Sequence, residues 1–304
     1  MKIFITTAFN KKLKNFNGNF NENFDVLDSF DIDSIYYLKL NIIKSLYSNI
    51  KKAIKILKEN KDITHLVFTS KNGVILFFDY IINKEKEVLN LLKEKQFLAV
   101  GPKTALIINK FNYNSIVPIK YLTSSLADLI INTSKQNNYK FLILRSRISN
   151  KILTQKLKEN NIKFKEIHIY TLKRNPFFKK TKEYKLLKLL IKINKFNNKV
   201  KNTNFVINNE YIYIIFTSPS NVKSFFNYFQ IKDLIDNVYI KFLPIGPVTY
   251  KELINHIKKY YKKQNVYQDF EKKLSNKIIE FPENYTLKDC LNKIKTDLIN
   301  QKKV

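Results

Sequence analysis

Two spacings of apolar residues alternate along the chain. Short apolar runs at Lys2-Ile-Phe-Ile-Thr-Thr7, Lys140-Phe-Leu-Ile-Leu144, Tyr211-Ile-Tyr-Ile-Ile-Phe216 and residues 241–245 have the length of buried strands. Between such runs apolar positions recur at i, i+3, i+4 and i+7, the period of a helix with one buried face. Val74, Phe77, Phe78 and Ile81 form one such set, and Val222, Phe225, Phe226 and Phe229 another. The alternation continues through Ser115-Ile-Val-Pro118 and residues 124–134, 140–144 and 149–160. It predicts an α/β fold with doubly wound parallel sheets, because parallel strands need a crossover that a helix usually supplies.

The pattern is duplicated. Residues 67–80 (VFTSKNGVILFFDY) and 215–228 (IFTSPSNVKSFFNY) share seven identities in fourteen positions, at an offset of 148 between Thr69 and Thr217. A second pair follows at an offset of 145, with Phe97-Leu-Ala-Val-Gly-Pro-Lys-Thr104 matching Phe242-Leu-Pro-Ile-Gly-Pro-Val-Thr249. The repeat is therefore domain-sized, longer than any solenoid period. The second copy has few strands of its own, so it is expected to recruit residues 2–7. That predicts one discontinuous domain of residues 1–35 and 172–304 and a second of residues 36–171. The extended segments Tyr36–Leu40 and Phe164–Leu172 would carry the chain between them as a two-stranded ladder. Lys/Asn-rich segments at 9–24, 173–210 and 256–281 read as expanded surface loops without chemistry.

Composition narrows the chemistry. One cysteine, Cys290, makes neither an internal disulfide nor a multi-thiolate metal site, and His65, His168 and His256 lie far apart, so no metal is expected. No apolar run is long enough to span a bilayer, and the chain begins on a strand rather than a signal peptide, which predicts a soluble, cytoplasmic or organelle-matrix protein. The net charge of +30 suits a polyanionic partner. Nearly all of it is lysine, however, in a chain also crowded with Asn, Ile, Phe and Tyr, so codon bias accounts for most of it. Against that bias only Gly18, Gly73, Gly101 and Gly246 remain as glycine, which marks places where a side chain would not fit.

The repeated motifs fall at the carboxyl ends of strands, where parallel sheets bind ligands. Thr69-Ser70 and Thr217-Ser218 supply hydroxyls and helix caps, and Pro219 suits a first helical position. Gly101-Pro102 and Gly246-Pro247 each start another helix, with Thr104 or Thr249 in its first turn, a device that binds carboxylate or phosphate. Any one of these is an ordinary cap of an α/β fold. Four of them in two copies would present matched anion-binding edges across one cleft, and a polycarboxylate becomes the expected ligand.

In this order and spacing the motifs resemble the uroporphyrinogen-III synthase family, over most of the chain. The resemblance rests on the two Phe-Thr-Ser elements, the two Gly-Pro-x-Thr elements and the strand ending in Tyr170-Thr171. It also rests on Phe141-Leu-Ile-Leu-Arg-Ser-Arg147 with Leu153–Leu157, and on the helix starts at Thr123–Leu129 and Tyr285–Leu291. It implies two flavodoxin-like domains joined by a two-stranded ladder, and a cofactor-independent monomeric lyase of haem biosynthesis. The substrate implied is hydroxymethylbilane, an octacarboxylate linear tetrapyrrole handed over transiently by hydroxymethylbilane synthase. It loses its terminal hydroxyl, passes through a spiro intermediate and closes with ring D inverted. Tyr170 is then the candidate to hydrogen-bond the leaving hydroxyl. Thr69, Ser70, Gly101, Thr104, Arg145, Ser218, Lys241, Gly246 and Thr249 are the candidates to bind acetates and propionates, with Lys151 and His168 as weaker ones. Departures from the family pattern are Lys71-Asn72-Gly73 in place of a proline-containing turn and Tyr250 in place of a small residue.

Two other classes fit parts of the sequence. A two-domain binding protein would also place a cleft between α/β domains, and stoichiometric binding without turnover would mark it. A nucleic-acid-binding protein would fit the charge, but no Cys/His finger, ribonucleoprotein motif or Gly-rich phosphate loop accompanies it, so neither nucleic acid nor membrane is an expected partner.

Overall fold

The computed structural model describes residues 1–9, 34–135, 139–199, 210–263, 274 and 276–301. They divide into a terminal unit, residues 1–42 with 174–304, and a middle unit, residues 43–173. β1 (Lys2–Phe9) and β2 (Ile35–Ser45) open the chain.

The middle unit continues with α1 (Tyr47–Glu59), β3 (Ile63–Phe68), α2 (Lys71–Lys84), α3 (Val88–Leu92), β4 (Gln96–Ala99), α4 (Pro102–Lys110), β5 (Ser115–Ile116), α5 (Thr123–Ser134), β6 (Lys140–Ser146), α6 (Ile152–Glu159) and β7 (Phe164–Arg174). The five strands from β3 to β7 run parallel in the order β5-β4-β3-β6-β7. The chain lays β4 and β5 on one side of β3 and then crosses to β6 and β7 on the other. The order therefore reverses between β3 and β6, and the carboxyl ends of strands at such a reversal are where doubly wound sheets bind ligands. Alternate side chains along each strand face opposite layers. Val67, Phe141 and Ile143 pack with Leu126 and Ile130 of α5 and Leu153 and Leu157 of α6. On the other face the Phe68 ring packs tilted against Phe77 of α2 and Phe97 stacks on Phe78, with ring centroids 5.7 and 6.2 Å apart.

The terminal unit resumes after β7 with a 3-10 turn (Phe178–Lys180), α7 (Lys182–Lys199), β8 (Ile212–Phe216), α8 (Pro219–Phe225), α9 (Ile231–Ile235), β9 (Ile240–Pro244), α10 (Pro247–Lys263) and α11 (Leu287–Gln301). β1 lies between β2 and β8, parallel to both, and β9 closes the order β2-β1-β8-β9. The N-terminal strand thus completes the sheet of the second repeat. Here the order reverses between β8 and β1, the counterparts of β3 and β6. One layer packs Phe4, Ile214 and Phe242 against Val222, Phe225 and Leu253, and the other packs Ile3, Tyr213 and Leu243 against Leu291 and Ile294 of α11.

The unit boundaries fall at 42/43 and 173/174, inside β2 and β7, rather than at 35/36 and 171/172. Each of these strands is 11 residues long, enough to give one end to each unit. They are hydrogen-bonded neighbours, with the Asn175 N–H donating to Leu40 O and the Leu46 N–H to Ile169 O, both at 2.9 Å.

Two of the expected loops are corrected. Much of 173–210 is α7, which buries Tyr184, Leu187 and Ile191 beside Phe178. The spacing i, i+3, i+7 is helical, but the intervening lysines hide it in composition. Likewise α10 extends to Lys263, into the segment 256–281. Residues 10–24, 200–209 and 264–273, with Gly18 among them, lie outside the described residues. Among the described residues, no helix is long and apolar enough to cross a membrane.

Candidate active site

β3 ends at Phe68, and Thr69-Ser70 lead into α2 at the reversal of the middle sheet. Ser70 is the N-cap of α2. Its backbone is extended, and its Oγ accepts the Gly73 N–H at 3.2 Å, which satisfies one of the donors a helix start leaves free. A Cβ at Gly73 would meet Ser70 Oγ at 3.5 Å and Leu144 O at 3.6 Å, ordinary contacts, so packing does not demand glycine there.

The neighbouring strand pair brings Tyr170 to the same place. Along β6 and β7 the partners run to Arg145↔His168 and then slip to Ser146↔Tyr170, leaving Ile169 as an extra residue. Such a bulge re-aims the side chain that follows it. Tyr170 Oη lies 2.7 Å from Ser70 Oγ, and Ser146 stands opposite Tyr170 in the ladder. The ring is 5 % exposed. Burial raises the phenol above its ordinary value of 10.0, while Ser70, Ser146 and the charge of Arg145 oppose that rise. Tyr170 is therefore protonated at physiological pH.

Arg145 is 2 % exposed. Its Nη2 donates to Asn150 O at 2.9 Å and its Nη1 approaches Glu166 at 3.4 Å, while its buried Nε has no partner among the described residues. Burial lowers the guanidinium pKa from its ordinary value, and Glu166 is the main group opposing that shift. His168 Nε2 lies 3.4 Å from the same Glu166. Lys151 is exposed at the start of α6.

The terminal unit repeats the frame with different residues. Ser218 caps α8 as Ser70 caps α2, accepting the Asn221 N–H at 3.3 Å, and its Oγ pairs with Ser220 at 3.0 Å. The β1/β2 ladder slips at the equivalent point, from Thr7↔Lys39 to Ala8↔Asn41. Asn41 thus stands where Tyr170 stands, and Ala8 where Ser146 stands. The Asn41 amide donates to Asn221 Oδ1 at 2.8 Å and accepts from Ser224 Oγ at 2.7 Å. Asn221 donates in turn to Thr217 Oγ1 at 2.9 Å, and Thr217 donates to Thr6 O at 2.6 Å. These hydroxyls and amides are spent on one another.

Both Gly-Pro turns are tight. A Cβ at Gly101 would lie 3.1 Å from Tyr121 Cβ, and one at Gly246 3.2 Å from the Tyr285 ring. Each glycine makes room for a tyrosine laid on the start of α4 or α10. Thr104 and Thr249, in the first turns of those helices, are buried.

The structure thus gathers Ser70, Arg145 and Tyr170, with Thr69 beside them, and sets Gly101 and Thr104 at the next strand end. It does not gather Lys241. That residue lies near the start of β9, and its Nζ is held at 2.6 and 2.8 Å by the two oxygens of Asp297 on α11. Tyr213 donates to the same carboxylate at 2.8 Å. Sequence reasoning missed Ser146 and Asn41. A third strand ending in a hydroxyl residue, Arg145-Ser146 after Leu144, was the available signal for the first; nothing in the sequence marked the second.

A family model described as uroporphyrinogen-III synthase HemD matches residues 39–262. The porphyrin biosynthesis protein HemD of Ruminiclostridium josui is 28% identical over 165 residues, 53% of this chain. A putative uroporphyrinogen-III synthase of Methanocaldococcus jannaschii is 29% identical over 107 residues, 35% of this chain. The matched regions span 28% and 42% of the length of these two relatives. Among solved structures, a mutant uroporphyrinogen III synthase of the extreme thermophile Thermus thermophilus superposes over 99% of this chain and 100% of its own, with a TM-score of 0.55 at 12% identity. The uroporphyrinogen-III synthetase of Helicobacter pylori superposes over 98% of this chain and 100% of its own, with a TM-score of 0.53 at 17% identity.

Proposed function

Because the chain belongs to the uroporphyrinogen-III synthase family, we propose that it converts hydroxymethylbilane to uroporphyrinogen III with loss of water. The observation that carries this reading is Tyr170, a buried phenol kept protonated at the reversal point of the middle sheet. Its O–H hydrogen-bonds the terminal hydroxyl of the bilane. As the C–O bond breaks, the phenol proton leaves with that oxygen as water, and a protonated azafulvene cation and the phenolate remain. Ring D attacks the cation through its substituted carbon, and the spiro intermediate reopens and recloses with that ring inverted. The proton released on final closure returns to the phenolate, so the enzyme ends unchanged.

Spontaneous closure gives the uninverted isomer, so the protein's main task is to hold one conformer, which is catalysis by positioning. Thr69, Ser70, Thr104, Ser218 and Thr249, with the helix starts they cap or follow, offer hydroxyl and amide donors to substrate carboxylates. Lys241 takes no part in this reading, since Asp297 holds it. The enzyme is a hydro-lyase, works as a cytoplasmic monomer without a cofactor, and receives its substrate from hydroxymethylbilane synthase.

The test supplies freshly generated hydroxymethylbilane, oxidises the products and separates uroporphyrin isomers I and III. The expected product is mainly isomer III; isomer I alone, at the rate without protein, would refute the reading.

A further inference from the structure

Ser70 Oγ serves two partners at once. As the cap of α2 it accepts the Gly73 N–H at 3.2 Å, and it lies 2.7 Å from Tyr170 Oη, 100 residues on in the chain. A hydroxyl has one donor hydrogen and two acceptor lone pairs. The serine and the phenol therefore hold two hydrogens between them: one lies in their common bond, and the other points away from it. If the serine donates, the outward hydrogen is the phenol's; if the phenol donates, it is the serine's. The Gly73 N–H favours the first arrangement, because accepting it polarises the serine hydroxyl and makes its hydrogen the better donor. Both arrangements reach the same state once the outward hydrogen has left. The phenol, the far stronger acid of the two, carries the charge, and the serine hydrogen is bonded to it.

We propose that Ser70 and Tyr170 act as one proton-donating pair, in which Ser70 is a positioning residue that fixes the phenol oxygen, keeps one hydrogen outward and then holds the phenolate. The proposal rests on the reading of Tyr170 as proton donor. In the step itself the substrate C–O bond breaks with its electron pair on oxygen, the outward hydrogen joins that oxygen to make water, and the phenolate remains. The bond from Ser70 strengthens as that charge grows, which is how a preorganised donor lowers a barrier. The Ser70 hydroxyl is thus engaged by the phenol, and a substrate carboxylate at this turn is left the backbone amides. The terminal unit shows the same cap without the pairing. Ser218 Oγ accepts the Asn221 N–H at 3.3 Å and spends its other bond on Ser220 at 3.0 Å. Asn41, which stands where Tyr170 stands, bonds to Asn221 and Ser224 rather than to the cap serine. Capping alone therefore does not tie the serine to the neighbouring ladder.

The test compares Ser70→Gly and Ser70→Thr in the full chain. Glycine serves almost as well as serine at a helix cap, so Ser70→Gly removes the hydroxyl from a protein that still folds. It is expected to lower kcat for isomer III about tenfold at unchanged KM, the loss of one bond to a developing charge. Ser70→Thr, which keeps the hydroxyl, is expected to restore it. In a Tyr170→Phe background Ser70→Gly is expected to cost nothing further in kcat, since it has no phenol to act through. The chain labelled with 3-fluorotyrosine, with Tyr170→Phe to assign the fluorine signal, gives a second readout. There Ser70→Gly is expected to raise the phenol pKa, because the bond with Ser70 lowers it in the wild type. A loss that falls on KM, or one of equal size without the phenol, would make Ser70 a ligand of a substrate carboxylate and overturn the pair, as would an unmoved phenol pKa. A wild type that forms no isomer III would refute the proposed activity, and the phenol pKa alone would then uphold or overturn the pair.

Discussion

The middle and terminal units share one plan at the reversal of their sheets: a strand ending in Thr-Ser, a serine cap, and a neighbouring ladder that slips by one residue. Three of the matched positions at which they differ carry the contrast. Where the middle unit has Gly73, Ser146 and Tyr170, the terminal unit has Asn221, Ala8 and Asn41. In the terminal unit the Asn221 side chain reaches Asn41 on one side and Thr217 on the other. In the middle unit Gly73 has no side chain, and the phenol of Tyr170 meets the cap residue Ser70 directly. The same slip therefore carries an amide tied into a closed network in one copy and a buried, protonated phenol in the other.

The largest effect that separates the copies should come from Tyr170→Phe. Loss of a general acid lowers turnover by about a hundredfold, measured as isomer III per minute, with thermal unfolding little changed. Asn41→Ala is the matched change and should act the other way. It leaves Asn221 and Ser224 without their buried partner and costs about 2 kcal/mol of stability by urea unfolding, while turnover per folded molecule stays near wild type. If Asn41→Ala slowed turnover as Tyr170→Phe does, the assignment of chemistry to one copy would be wrong.

A smaller contrast lies in the Gly-Pro turns. Gly101→Ala would press on Tyr121 Cβ at 3.1 Å, an atom fixed to the backbone, whereas Gly246→Ala would press on the ring of Tyr285 at 3.2 Å. The first should cost about 2 kcal/mol and the second less, and equal melting temperatures would contradict this.

The last contrast is in pH. Lys277 of the terminal unit is buried against the Asn237 and Ile240 carbonyl oxygens, and burial pushes its amine from 10.5 down to about 7. Between those values the unfolded chain holds a proton that the folded chain has released. Stability of the terminal unit should therefore rise with pH across that window, by at most about 1.4 kcal/mol per unit, and be lowest below it. Lys277→Met should flatten the profile of urea midpoints measured from about pH 7 to about pH 9.

How much of this was legible depends on where the partner of each residue lies in the chain. The Thr-Ser and Gly-Pro turns are local devices, and their duplication exposed them in the sequence; the strands β1, β6, β8 and β9 were legible as apolar runs. Tyr170 was reachable through the family pattern. Its hydrogen bond with Ser70 was not, because the two residues lie 100 positions apart in the chain. Asn41 binds a residue 180 positions away, and no spacing within β2 reveals it. Lys241 was misread for the same reason. A lysine close before Gly246 looks available to a carboxylate until α11 docks and brings Asp297, 56 residues on, to its amine. In α7 the lysine-rich composition masked a buried stripe of Tyr184, Leu187 and Ile191 that only packing on the terminal sheet makes evident.

The most direct test of the central claim is to measure the ratio of uroporphyrin III to uroporphyrin I formed from hydroxymethylbilane by the wild-type protein, Tyr170→Phe and Asn41→Ala side by side. The account predicts mainly isomer III from the wild type and from Asn41→Ala, and a shift toward isomer I from Tyr170→Phe as spontaneous closure overtakes the slowed enzyme. An unshifted ratio in Tyr170→Phe, or a shift in Asn41→Ala alone, would contradict it.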